Sequence, residues 1–237
     1  MYSFQSMVRY SETGSDRRLT IPMLLNYFQD CSTMQAEELG IGLDYLTPKN
    51  MAWVLNFWQV DIVRRPMLGE KIVISTWPYD FKGAMGNRNY LMETEDGEKL
   101  AFANTLYTLL HMEKHVPVKP DETMVEAYKL EERLPMEYLS RKLSFEGEGE
   151  SGEPVIVQRH HIDTNQHVNN VQYVDMACDL IPRSSKVNRI LASYHISAVL
   201  SDTIYPVVHR MGNEVGVELD REDGKCFCKV KLCMDEG

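Results

Sequence analysis

His161-Ile162-Asp163-Thr164-Asn165-Gln166-His167-Val168-Asn169-Asn170 leads directly into Val171-Gln172-Tyr173. A carboxylate, imidazoles and carboxamides are packed just ahead of apolar residues at helical period, Val171, Val174, Cys178 and Ile181, closed by Pro182. Asn169 or Asn170 fits the N-cap of that helix. As extended chain, Asp163, Asn165 and His167 share one side, because alternate side chains of a strand point the same way. That side would carry a candidate base, His167, a hydrogen-bond donor, Asn165, and an orienting carboxylate, Asp163. The helix start would aim free N–H groups at whatever they hold, which favours a developing oxyanion. Turns and caps use the same residue types, so these residues alone leave a purely structural reading open.

Outward from this stretch, residues 155–159 predict a strand before it, and 189–199, 203–210, 214–219 and 226–234 predict strands after its helix. The first half has the same order. Residues 3–10 predict a strand and 11–18 a polar turn region. Thr20 caps a helix with Pro22 in its first turn and Leu24, Phe28, Cys31 and Met34 at helical spacing, ending near Gly40. Strands follow at 52–63, 71–77, 87–93 and 99–112, and the turn Glu95-Asp96-Gly97 is echoed by Glu222-Asp223-Gly224. One helix followed by a run of antiparallel strands, twice over, predicts an α+β chain made of a fused pair of one unit. Residues 1–120 and 154–237 are the expected domains. Residues 121–153, with Pro135 and the acidic run Glu146-Gly147-Glu148-Gly149-Glu150, are the expected linker. Residues 11–22 contain no Asp-x-Asn-x-His, so a single active site is expected, in the second half, with the first shaping a substrate pocket.

Asp163-x-Asn165-x-His167-Val168-Asn169-Asn170-x-x-Tyr173 resembles the active-site signature of the fatty acyl-acyl carrier protein thioesterases. Trp53-Val54, Arg64-Arg65-Pro66, Ser75-Thr76-Trp77 and Arg88-Asn89-Tyr90 extend the resemblance over most of the chain. It implies two tandem hotdog domains, each an antiparallel sheet wrapped around a long helix. It also implies hydrolysis of an acyl thioester, with Asp163, Asn165 and His167 catalytic and Asn169, Asn170, Ser197 and Trp53 contacting substrate. The implied partner is acyl carrier protein with its phosphopantetheine-linked acyl chain. No cofactor, metal, nucleic acid or membrane partner is expected, and a homodimer is allowed. Trp53, Phe57, Trp58 and Trp77 are candidates to line an acyl tunnel, although core packing suits each of them as well.

The family also places a Glu, and often a neighbouring Cys, on a later strand after a Tyr. Here Tyr194-His195-Ile196-Ser197-Ala198 puts Ser197 at the Glu position and Ala198 at the Cys position. A cysteine nucleophile there is absent, and a carboxylate for water activation is missing unless His195 or another group replaces it. Two other functions stay open: a hotdog thioesterase acting on acyl-coenzyme A, which the same water chemistry would serve, and a non-catalytic acyl-binding protein, which Ser197 suggests.

The 237 residues, 43% hydrophobic, suffice for a sizeable core, and the formal charge of −10 argues against a phosphate-backbone partner. An acidic carrier protein would need a local basic cluster, for which Arg183, Lys186 and Arg189 are candidates. The five cysteines, irregularly spaced and without a Cys-x-x-Cys pair, suit reduced thiols in the cytoplasm rather than a zinc site. Without a membrane-spanning run or an evident leader, a cytoplasmic protein of the bacterial branch is expected.

Overall fold

The computed structural model describes residues 1–235; the last two residues of the expected second domain, 236 and 237, lie outside them. The strands are β1 (Tyr2–Met7), β2 (Met51–Ile62), β3 (Lys71–Lys82), β4 (Met85–Thr94), β5 (Lys99–His111), β6 (Val116–Pro117), β7 (Glu150–Ser151), β8 (Val155–Ile156), β9 (Val187–Tyr194), β10 (Thr203–Met211), β11 (Glu214–Asp220) and β12 (Cys226–Met234). The α-helices are α1 (Ile21–Glu38), α2 (Leu43–Leu46), α3 (Glu122–Ala127) and α4 (Asn170–Cys178). The chain forms two compact units, one of residues 1–56 and 62–138, the other of 57–61 and 139–237.

In the first unit β1, β3, β4 and β5 pair antiparallel in that order, and β6 extends the end of β5. Thr20 caps α1 by accepting from the Met23 N–H, Pro22 lies in its first turn, and Gly40 takes the left-handed φ of 69° just past its end. The helix buries Leu24, Leu25, Phe28 and Cys31 on β3, with Phe28 tilted against Tyr90 at 5.2 Å. Each such aliphatic or aromatic side chain contributes about 1.5–3 kcal/mol.

In the second unit residues 57–61 of β2 pair with β9, and the order continues β12, β11, β10, with β7 and β8 both on β10. The helix on this sheet, α4, has 9 residues against 18 in α1. It buries Val171, Tyr173, Val174, Met176 and Ala177. A sheet closed over one helix in each unit is the hotdog arrangement that the resemblance implies.

Four local expectations are corrected. The strand expected over 155–159 is only β8, because a 3-10 turn at Arg159–His161 takes over. The helix expected to run to Pro182 ends at Cys178, where Asp179 N–H closes back on Asp175 C=O. The strand expected over 189–199 stops at Tyr194, so His195 and Ser197 share no strand face. Residues 121–153, expected as a linker, are packed in part. Asp121 caps α3, Met124 and Tyr128 are buried in the first unit, and Phe145 lies on the second unit's sheet against His209 at 5.4 Å.

Candidate active site

Residues 163–167 are a tight turn rather than an extended segment. Ile162 bridges Val168, Asp163 N–H donates to His167 C=O at 2.8 Å, and Gln166 N–H donates to Asp163 C=O at 3.1 Å. Gln166 pays for the reversal with a left-handed φ of 62°. Side-chain alternation therefore does not operate here. The turn itself brings Asp163 and His167 opposite one another, with Asn165 exposed at its tip.

The Asp163 carboxylate holds that turn, accepting from the backbone N–H of Asn165 at 2.8 Å and of His167 at 3.3 Å. This is an Asx turn, the local bond that makes Asp favourable at reversals. The half-buried His167 imidazole has no hydrogen-bond partner among the described residues, which leaves its nitrogens for a ligand or water. Asn169 is the N-cap of α4, its carboxamide oxygen accepting from Val171 N–H at 2.9 Å. Asn170 opens the helix, and its C=O accepts from the Tyr194 hydroxyl at 2.9 Å.

Behind the turn, Tyr173 ties the helix to the loop after β9. Its buried hydroxyl accepts from Ala198 N–H at 2.9 Å, and Ala198 C=O accepts from Val168 N–H at 2.9 Å. Burial pushes the Tyr173 phenol well up, so it stays neutral. The sequence marks Tyr173 as part of the signature but assigns it no role; a large apolar side chain with one polar end, placed on the buried face of α4, is the signal that could have supplied it.

Ser197 is exposed in the loop beside Ala198. The His195 side chain is exposed in that loop overall, yet partial desolvation of its ring and the nearby Lys229 charge hold the imidazole below the ordinary histidine value. His161, missed as a structural group, takes the Gln158 N–H on its Nδ1 at 3.0 Å and stacks edge-on against His160 at 4.1 Å. Partial burial and the His160 ring keep its pKa low.

Trp53 belongs to the first unit, not to the motif. It stacks on Phe81 at 6.0 Å against a cluster of Ile41, Leu46, Leu109, Met124 and Tyr128. Its buried indole N–H has no partner among the described residues. Phe57 and Trp58 are core residues, and Trp77 donates its N–H to Glu132 C=O at 2.9 Å. Of the proposed basic cluster, Arg189 pairs with Asp61, while Arg183 and Lys186 are exposed. The five cysteines are free thiols; burial pushes Cys31 and Cys226 up to about 12 and Cys233 to about 11, away from nucleophilic use.

No helix among the described residues is long and apolar enough to cross a membrane. The chain is similar to the chloroplastic dodecanoyl-acyl-carrier-protein hydrolase of Umbellularia californica, 26% identical over 81% of this chain and 52% of that protein. It is 25% identical to the chloroplastic palmitoyl-acyl carrier protein thioesterase of Gossypium hirsutum over 84% of this chain and 50% of the relative. The chain thus spans about half the length of these curated relatives. An acyl-ACP thioesterase from Bacteroides thetaiotaomicron shares the fold with a TM-score of 0.90 at 22% identity, over 98% of this chain and 97% of that one. The model of the acyl-ACP thioesterase N-terminal domain matches residues 1–128 and that of the C-terminal domain 147–234, so the chain belongs to the acyl-ACP thioesterase family.

Proposed function

We propose that the protein hydrolyses the thioester of fatty acyl-acyl carrier protein, releasing free fatty acid and ending chain elongation. The observation that carries this reading is the turn at 163–167, which presents an unengaged imidazole at the start of a capped helix within a family of such hydrolases. His167 takes a proton from water as the oxygen attacks the thioester carbonyl, and the imidazolium returns it to the departing thiolate. Little acid catalysis is needed at the sulfur, because a thiol's pKa is about 8.5. Asn165, exposed at the tip, donates its carboxamide N–H to water or to the carbonyl oxygen as charge develops there. Asp163 shapes the turn and so orients His167 through the backbone N–H that it holds. Asn169 and Asn170 fix the helix start beneath the substrate, and Ser197 contributes a hydroxyl where relatives are expected to carry a carboxylate. The first unit, Trp53 included, shapes the acyl pocket, and Arg183 and Lys186 are the docking charges for the carrier.

Steady-state hydrolysis of acyl-carrier proteins against the matching acyl-coenzyme A esters tests the reading. Carrier-selective turnover abolished by His167→Ala is expected; unchanged turnover in that variant refutes the assignment. Asp163→Asn keeps an acceptor for the two backbone N–H groups while removing the charge, so it separates turn-holding from electrostatics. Acyl binding without turnover in the wild type would instead establish a binding protein, the reading that the serine at 197 favours. A cytoplasmic location, in keeping with the free thiols, and a homodimer belong to the same reading and are checked by fractionation and sedimentation.

A further inference from the structure

Both units carry the same backbone device. A 3-10 turn, Tyr10–Glu12 or Arg159–His161, leads into a bridged turn, Thr13 with Leu19 or Ile162 with Val168, and then into a capped helix. The bonds inside the turn correspond. Gly14 N–H donates to Arg18 C=O at 3.0 Å as Asp163 N–H does to His167 C=O at 2.8 Å, and Arg17 and Gln166 share left-handed φ values of 60° and 62°. The loops facing the turns also correspond. Met67 N–H is capped by the Glu70 carboxylate at 2.8 Å as Val199 N–H is by Asp202 at 2.9 Å. Gly69 N–H donates to Val8 C=O as Ser201 N–H does to Val157 C=O, each at a left-handed residue.

The contacts between turn and loop differ. One bond is common, Leu19 N–H to Pro66 C=O at 2.8 Å and Val168 N–H to Ala198 C=O at 2.9 Å. Beyond it the first unit is zipped shut. Arg18 bridges Met67, Leu68 N–H donates to Arg17 C=O at 2.8 Å, Arg18 donates to Arg65 C=O at 2.8 Å, and Arg65 pairs with Asp16. The corresponding residues of the second unit, His167 with Val199, Leu200 with Gln166 and Ser197 with Asn165, make none of these contacts among the described residues. Leu200 N–H and Gln166 C=O make no hydrogen bond among the described residues. Val199 and Leu200 are 43% and 49% exposed, where Met67 and Leu68 are half-buried.

We propose that this opened seam, between residues 164–167 and 196–200, binds the pantetheine arm of the thioester substrate. The inference rests on the thioesterase reading. The arm is an extended aliphatic chain carrying amides and a dimethyl-substituted carbon. One of its amides bridges the two groups whose counterparts bond each other directly in the first unit: its carbonyl accepts from Leu200 N–H and its N–H donates to Gln166 C=O. Val199 and Leu200 cover the aliphatic part, and the sulfur end lies toward His167. Pairing of an extended ligand with unused backbone groups is the logic of strand addition, and it breaks no hydrogen bond among the described residues.

The test is a titration of isotope-labelled wild-type protein with a non-hydrolysable S-alkyl pantetheine thioether, followed through backbone amide signals. The Leu200 and His167 amides are expected to shift while those of Leu68 and Arg18 stay still. In parallel, Leu200→Asp should lower kcat/KM for acyl-pantetheine about tenfold more than for the same acyl ester of a simple alkanethiol. Absence of thioether binding, binding that leaves the Leu200 amide unmoved, or equal losses on the two esters overturns the proposal. His167→Ala separates the two readings: lost turnover with intact thioether binding supports both. If the wild type hydrolyses no thioester, the thioesterase reading falls and the titration alone decides the seam.

Discussion

Removing the hydroxyl of Tyr173 should both destabilise the second unit and slow its chemistry. Tyr173 is 2% exposed, and its oxygen is the acceptor for the N–H of Ala198, itself fully buried. Tyr173→Phe keeps the ring and its edge-on contact with Tyr194 at 6.0 Å but leaves that N–H without an acceptor. An orphaned buried donor costs about 1–3 kcal/mol, and a value of about 2 kcal/mol is a factor of about 30 in the folding equilibrium. In a chain of this size it lowers the midpoint of thermal unfolding by about 4–8 °C. Because Ala198 C=O also holds Val168 N–H at the mouth of the motif turn, kcat on acyl-carrier protein should fall in the same variant. Tyr194→Phe is the control. It loses a bond to a helix-start carbonyl that is only half-buried, worth about 0.5–1 kcal/mol. Urea titration of both variants, with turnover alongside, decides the matter. A Tyr173→Phe protein within 0.5 kcal/mol of wild type by order of magnitude, or no weaker than Tyr194→Phe, would refute the anchoring role.

The two helix caps allow a comparison within one chain: Asn169→Ala, which gives up a 2.9 Å bond to Val171 N–H, should cost about 1 kcal/mol, and Thr20→Ala, which gives up one of 3.4 Å to Met23 N–H, should cost less in the same denaturant assay. Hydrogen bonds from Lys49 and Tyr45 hold the Asp121 carboxyl down at about 2, below its ordinary 3.8. A depressed folded-state pKa gives stability that is present above the unfolded value and lost as pH falls through the folded one, so the wild type should weaken between about pH 4 and 2 and Asp121→Asn should flatten that limb of the acid titration. Gly216→Ala would place a methyl carbon 2.4 Å from the Phe145 ring, so the variant should lose about 1–3 kcal/mol and expose residues 140–149 to limited proteolysis. Both His209 nitrogens are buried with no partner among the described residues, so His209→Phe should unfold at the same or higher denaturant concentration than wild type.

Much of the fold is legible because local signals and periodicity agree. Thr20, Pro22 and Gly40 mark the ends of α1 in the sequence and mark them in the structure. The Gly97 and Gly224 turns fall between paired strands, both with positive φ. The site was less legible. The one-sided triplet expected from alternation is replaced by a reversal, because Asp163 bonds the N–H groups of Asn165 and His167 and competes locally with extension. The segment after Tyr194 has strand-forming composition but leaves the sheet, since His195 N–H pairs once more with Phe227 C=O and the chain then turns toward Ala198 and Tyr173. The acidic run near 146–150 has no periodicity to reveal that Phe145 beside it is packed on the sheet.

The sequence by itself determined the duplicated α+β order, the capped helix starts, and the cluster of Asp163, Asn165 and His167 in the second half only, because caps, turns and side-chain period are set by neighbours along the chain. Only the tertiary structure decided what that cluster faces. Whether a turn is zipped to the loop opposite it, as at Arg18 and Met67, or parted from it, as at His167 and Val199, depends on hydrogen bonds between segments roughly thirty to fifty residues apart, and no local preference encodes such a contact.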